Sequence, residues 1–118
     1  MTRVALLLAF AVQQPDTGVI LADSLDAPPT IVRDARLNYP LDLLRGGRQG
    51  RVIVQFVLDT TGQAEPGSLR VIASAHRGFN LSAKAYVRDL VFTPPTFHGR
   101  KVRALMQLPV EFRIGGGP

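Results

Sequence analysis

Cysteine is absent from the 118 residues. That excludes a disulfide framework, a thiolate metal site, a cysteine nucleophile and a lipid-modified N-terminal cysteine. Tryptophan is absent too, and aromatic residues make up only 7% of the chain. Histidine is scarce: His76 and His98 both fall in predicted loops, and neither has a second histidine or a carboxylate at ligand spacing. No Gly-x-Ser-x-Gly nucleophile elbow occurs. The glycine-rich stretch Gly46-Gly47-Arg48-Gln49-Gly50 lacks the Gly-Lys-Ser/Thr ending of a phosphate loop. Asp59 and Glu65 share one predicted hairpin, where carboxylates are ordinarily solvated. The sequence therefore offers no catalytic residue, no metal ligand set, no cofactor site and no small-molecule substrate site, and it does not read as an enzyme. Long apolar runs are missing as well. The longest, Val4 to Val12, falls short of the roughly 20 residues a membrane-spanning helix needs.

What is present suits one folded domain: 46% hydrophobic and 19% charged residues. The net charge is +5, from 14 Lys and Arg against 9 Asp and Glu. Its densest groups are Arg45, Arg48, Arg51 and Arg100, Lys101, Arg103. No aromatic platforms interleave with them, so they read as a solvated basic surface and not as a nucleic-acid site. At the start, Met1-Thr2-Arg3 precedes the short apolar run, and Ala9-Phe10-Ala11 has the small-x-small form of a cleavage site. This predicts a signal peptide over 1–11, with the alternatives of a buried first element or a start that lacks a longer anchor. A flexible segment is expected over 12–27, with Val19 to Ala22 as a brief apolar patch able to form an accessory strand. The folded domain is expected over 28–114 and a flexible glycine tail over 115–118.

The clearest strand is Arg51 to Asp59. Its β-branched and aromatic residues alternate, with Val52, Val54, Phe56 and Leu58 on one face. Gly50 introduces it, and Asp59-Thr60-Thr61-Gly62 ends it with turn chemistry. Before it, Tyr39-Pro40 starts a short helix bearing Leu41, Leu43 and Leu44, stopped by Gly46-Gly47. After it comes a second strand, Ser68 to Ala75, with Leu69, Val71 and Ala73 on one face. A second helix is expected from Asn80 or Ser82 to about Phe92, ended by Thr93-Pro94-Pro95. The last strand is expected over Lys101 to Ile114, and Pro109 within it argues for an edge strand, because proline is largely confined to edges and bulges. These elements make an α+β fold: a three-stranded antiparallel sheet of order 2-1-3, with two helices packed on one face.

The order of short motifs carries a resemblance. Tyr39-Pro40 is followed by Gly50-Arg51-Val52-Ile53-Val54-Gln55-Phe56-Val57-Leu58-Asp59 with Gly62. Next come Phe79 with an alanine-bearing helix, Phe92-Thr93-Pro94, and Pro109-Val110-Glu111-Phe112. Taken together from Asp26 to Ile114, this resembles the TonB C-terminal domain family. The resemblance implies a periplasmic domain, exported by its N-terminal signal or held at the periplasmic side of the inner membrane. It implies a role in energy transduction for TonB-dependent transport across the cell envelope. The implied partner is an outer-membrane TonB-dependent receptor, whose extended TonB box adds a strand beside the last strand. The implied binding positions are Val102, Arg103, Ala104, Leu105, Met106, Gln107 and Leu108, with Tyr39 and Pro40 near the docked receptor; Tyr39-Pro40 also has a purely structural reading as a helix-start staple. The long proline-rich spacer and a full anchor of such transducers are not seen in the sequence. A free-standing envelope adaptor or a self-associating homodimer, using the same edge, is therefore the alternative.

Overall fold

In the computed structural model, residues 18–115 are described. The expected signal peptide over 1–11, the start of the 12–27 segment and the end of the 115–118 tail lie outside them. The elements run β1 (Val19–Leu21), β2 (Ile31–Arg33), α1 (Leu41–Arg45), β3 (Gly50–Leu58), β4 (Arg70–Ser74), α2 (Asn80–Asp89), β5 (Val91–Phe92), β6 (Thr96–Phe97), β7 (Arg100–Lys101) and β8 (Arg103–Phe112).

β3 organises them. Its alternation puts Val52, Val54, Phe56 and Leu58 on one face, each with no exposed surface, and leaves Ile53, Gln55 and Val57 half-buried on the other. Burying side chains of this size contributes about 1.5–3 kcal/mol each. β3 pairs antiparallel with β8 from Gly50↔Phe112 to Leu58↔Ala104, and antiparallel with β4 on its other side. The helix α2 covers the buried face with Ala83 and Val87, and Leu90 just after it joins the same core. Phe79, stacked on Phe112 at a centroid distance of 4.3 Å, closes the end where β3 begins.

The expected antiparallel set is present as β4-β3-β8, but the sheet is larger. It is a mixed four-stranded sheet of order β1-β8-β3-β4, because β1 pairs parallel with β8 (Val19↔Arg103, Ile20↔Ala104, Leu21↔Leu105). The brief apolar patch expected as an accessory strand within 12–27 forms β1, and its pairing means that β8 is not the terminal strand over Arg103 to Leu105. The second correction concerns the helices. One main helix covers the sheet. α1 is 5 residues long and has no buried residue; Leu43 packs against the core while Leu41 and Leu44 are exposed. Its glycine stop is as expected: Gly47 has φ 70°, its N–H reaches the Leu44 carbonyl, and the Arg48 N–H reaches the Leu43 carbonyl, a Schellman closure.

Two boundaries also differ. α2 ends at Asp89 because Leu90 turns extended (φ −72°, ψ 149°), and the Phe92 N–H donates to the Gly62 carbonyl at 2.7 Å. Val91 and Phe92 then pair with β2. Between β3 and β4 the register shifts after Ile53, so Val71 lies level with Val54 while Ala73 lies level with Ile53. The shift moves Ala73 off the core face, where it is exposed.

Candidate functional site

The direction of each backbone group on β8 follows from β3. The Val57 N–H donates to Ser68 Oγ at 2.9 Å and the Val57 carbonyl accepts from Glu65 N–H. The Arg51 carbonyl likewise accepts from Ala75 N–H. These odd-numbered residues of β3 therefore turn their polar groups toward the β4 side, and the even-numbered ones serve β8. In an antiparallel ladder the residues opposite, Ala104, Met106, Leu108 and Val110, exchange those bonds. It follows that Arg103, Leu105, Gln107, Pro109 and Glu111 present their backbone groups outward. Pro109 fits this parity, since its nitrogen has no hydrogen to give and its register partner Ile53 needs none.

The outer edge of β8 is thus a row of donors and acceptors from Arg103 to Gln107, interrupted at Pro109. β1 takes the first part. Ile20 sits level with Ala104, so its backbone faces the Arg103 carbonyl and the Leu105 N–H. β1 then breaks into a 3₁₀ turn over Ala22–Ser24, and among the described residues no strand pairs with the outer edge beyond Leu105. Two grooves flank that point. One, about 320 Å³, is lined by Leu21, Ala22, Asp23, Leu105 and Gln107. The other, about 330 Å³, lies toward Met106, Leu25, Asp26, Pro28 and Pro29.

The segment after β1 is pinned. Asp26 accepts from the His98 N–H (2.8 Å) and the Gly99 N–H (2.9 Å) through its two carboxylate oxygens, and its own N–H donates to the Thr96 carbonyl (2.9 Å). His98 and Gly99 both have positive φ (53° and 77°), as the two-residue turn of the β6–β7 hairpin requires. The Gly99 and His98 amides hold the Asp26 carboxyl below the usual aspartate range. On the open face of the sheet, Arg103 Nε and Nη2 grip Glu65 at 2.6 and 2.8 Å, and this hydrogen-bonded pairing holds the Glu65 carboxyl below its ordinary value. Arg103 thereby ties the β3–β4 connection to the start of β8.

Tyr39 is elsewhere. Its ring meets Phe79 and Phe112 edge-on at 5.7 and 5.6 Å, and its hydroxyl donates to the Arg48 carbonyl. Phe112 lies seven strand residues from Leu105, about 23 Å along β8. The structure does not bring Tyr39 and Pro40 together with Val102–Leu108. It gives Tyr39 a packing and tethering position and Pro40 the N-cap of α1. The contribution that sequence reasoning missed is Asp26, which pins the segment beside the edge. Nothing in the sequence marked it, because the His98 and Gly99 amides that Asp26 accepts from come together only in the folded β6–β7 turn. Among the described residues there is no group of three or more metal-ligating side chains, and no helix is long and apolar enough to cross a membrane.

Comparison with curated proteins finds no match. Among solved structures, the fold is similar to the solution NMR structure of the Pseudomonas aeruginosa TonB CTD. The TM-score is 0.58 at 22% identity, over 79% of this chain and 93% of that one. The family model for the Gram-negative bacterial TonB protein C-terminal matches residues 35–114, which takes in β3, β4, α2 and β8. The chain therefore belongs to the Gram-negative bacterial TonB protein C-terminal family.

Proposed function

We propose that the outer edge of β8, from Val102 to Leu108, binds an extended segment of an outer-membrane receptor by strand addition, in TonB-dependent transport. The family is periplasmic and non-enzymatic, and it serves transport that depends on TonB. Export by the N-terminal segment 1–11 belongs to the same proposal. The observation that carries it is the outward row of backbone groups at Arg103, Leu105 and Gln107, on which one short strand, β1, already lies. Main-chain bonds along such a row supply affinity, and side chains on alternate sides supply selectivity.

Leu105→Pro tests it. A proline there repeats the chemistry that β8 tolerates at Pro109, removing an outward donor while leaving the even-numbered bonds to β3 intact. The expected outcome is loss of at least tenfold in affinity for the N-terminal peptide of a cognate receptor, with the near-native circular dichroism spectrum retained. Unchanged affinity in a folded variant would exclude the edge as the site.

A further inference from the structure

We propose that β1 is an internal stand-in for the partner strand, so that a receptor segment reaches β8 by replacing Val19–Leu21 rather than by adding beside them. This rests on the strand-addition reading above and specifies its register, its direction and its competitor.

Three observations lead there. First, the usable edge is short. Its unbroken run of outward groups extends from Arg103 to Gln107, and Pro109, which has no N–H, interrupts the row before Glu111. β1 covers Arg103 to Leu105, so a newcomer that left β1 in place would find little of the row remaining before the proline. Second, β1 is weakly held. It is 3 residues long, none of its residues is buried, and Leu21 is 61% exposed. Such a strand belongs to the low-stability end of a fold, where local opening is inexpensive. Third, the chain is built to keep its shape when β1 leaves. Leu25 packs against the core and Asp26 is fixed on the β6–β7 turn, so the segment is anchored immediately after the 3₁₀ turn. Val19–Leu21 can swing out from that anchor while the β4-β3-β8 core stays paired.

The seated strand also describes its replacement. The partner runs parallel to β8. Its residue level with Ala104 takes the place of half-buried Ile20, on the core side against the smallest side chain of the strand, and suits a bulky aliphatic group. The next residue lies level with Leu105 beside Val57 on the open face, where Leu21 now sits. A segment that stays extended where β1 breaks would continue over Met106 and Gln107. It would place one more apolar side chain in the groove of Leu25, Pro28, Pro29 and Met106, and would use the Leu105 carbonyl and the Gln107 N–H. A partner of about five residues thus makes every bond that β1 makes and adds two more. This gives the exchange its direction.

The test uses the full chain and a labelled synthetic peptide copying residues 17–24. Ile20→Pro removes the β1 donor without touching β8. The expected result is that Ile20→Pro binds the peptide at least tenfold more tightly than the unmodified chain, and that adding Leu105→Pro abolishes the gain. Equal affinity in both chains, still lost with Leu105→Pro, would overturn the exchange and leave strand addition standing. Binding indifferent to Leu105→Pro would overturn both. No binding to either chain would overturn the stand-in role of β1 alone, since the receptor peptide probes the edge separately. Amide exchange in the unmodified chain gives a second reading that needs no variant. With saturating peptide, the Ile20 N–H is expected to lose protection while Leu105 N–H keeps it. Protection retained at Ile20 with peptide bound would overturn the proposal.

Discussion

Two residues show how little freedom single positions have. Gly62 has φ 96°, and a Cβ built there would lie 2.0 Å from the Phe92 carbonyl oxygen, the group beside the N–H that binds Gly62 in return. Gly62→Ala must move the β3–β4 turn or the β5 strand. It is expected to lower stability by about 2–4 kcal/mol, measured by urea unfolding, whereas Gly99→Ala, with the same sign of φ but open space, is expected to cost about 1 kcal/mol. Equal costs would contradict the steric account. Asp26 shows the electrostatic counterpart. Its carboxyl is held below the usual range by the Gly99 and His98 amides. A group depressed in the folded state stabilises fully above its unfolded pKa and loses that contribution as pH falls through the folded value. The clamp is therefore complete at neutral pH and opens only below the ordinary aspartate range. An NMR titration of the His98 and Gly99 amides is expected to place the midpoint below that of an unstructured aspartate; a midpoint at or above it would refute the clamp.

At the level of elements, the aromatic end and the edge end of β8 have separate jobs. Tyr39→Phe removes the bond to the Arg48 carbonyl and keeps the edge-on ring contacts with Phe79 and Phe112. It is expected to cost about 1 kcal/mol of stability and to leave peptide affinity within twofold. A large affinity loss at unchanged stability would return Tyr39 to the binding site. The same strand explains what the sequence could and could not reveal. The alternation of β3 and the matching run of β8 were readable because each strand has a buried face with period two. Pro109 was readable as an edge marker, and its nitrogen does point outward. The parallel pairing of β1 was not readable as such: Val19–Leu21 is too short to show a period, and its partner lies near the other end of the chain. The bulge that turns Ala73 away was also invisible, because a register shift leaves the composition of β4 unchanged. Val91 continues the helical spacing of Tyr86, Val87 and Leu90, yet the chain leaves the helix there to satisfy Gly62 and β2.

For the whole molecule, what matters is how the exposed margin of the sheet is limited. β1 fills part of the margin and Pro109 interrupts the rest. Pro109→Ala would supply one more outward donor and lengthen the usable row. The expected result is increased self-association, seen by light scattering as a concentration-dependent rise in mass, with the fold unchanged; no change at high concentration would show that β1 alone suffices.

The pairing of β1 with β8 also bears on the order in which the chain folds. β3 and β4 are close in sequence, and β8 reaches β3 across the longer span that holds β4, α2 and β5 to β7. The first strand meets the last only after nearly all of the described chain between them is in place, and loop closure of that span is slow. β1 should therefore be the last strand to zip up during refolding and the first to unzip on unfolding. Hydrogen exchange would record that as a fast phase confined to Val19–Leu21 and the outward amides of β8.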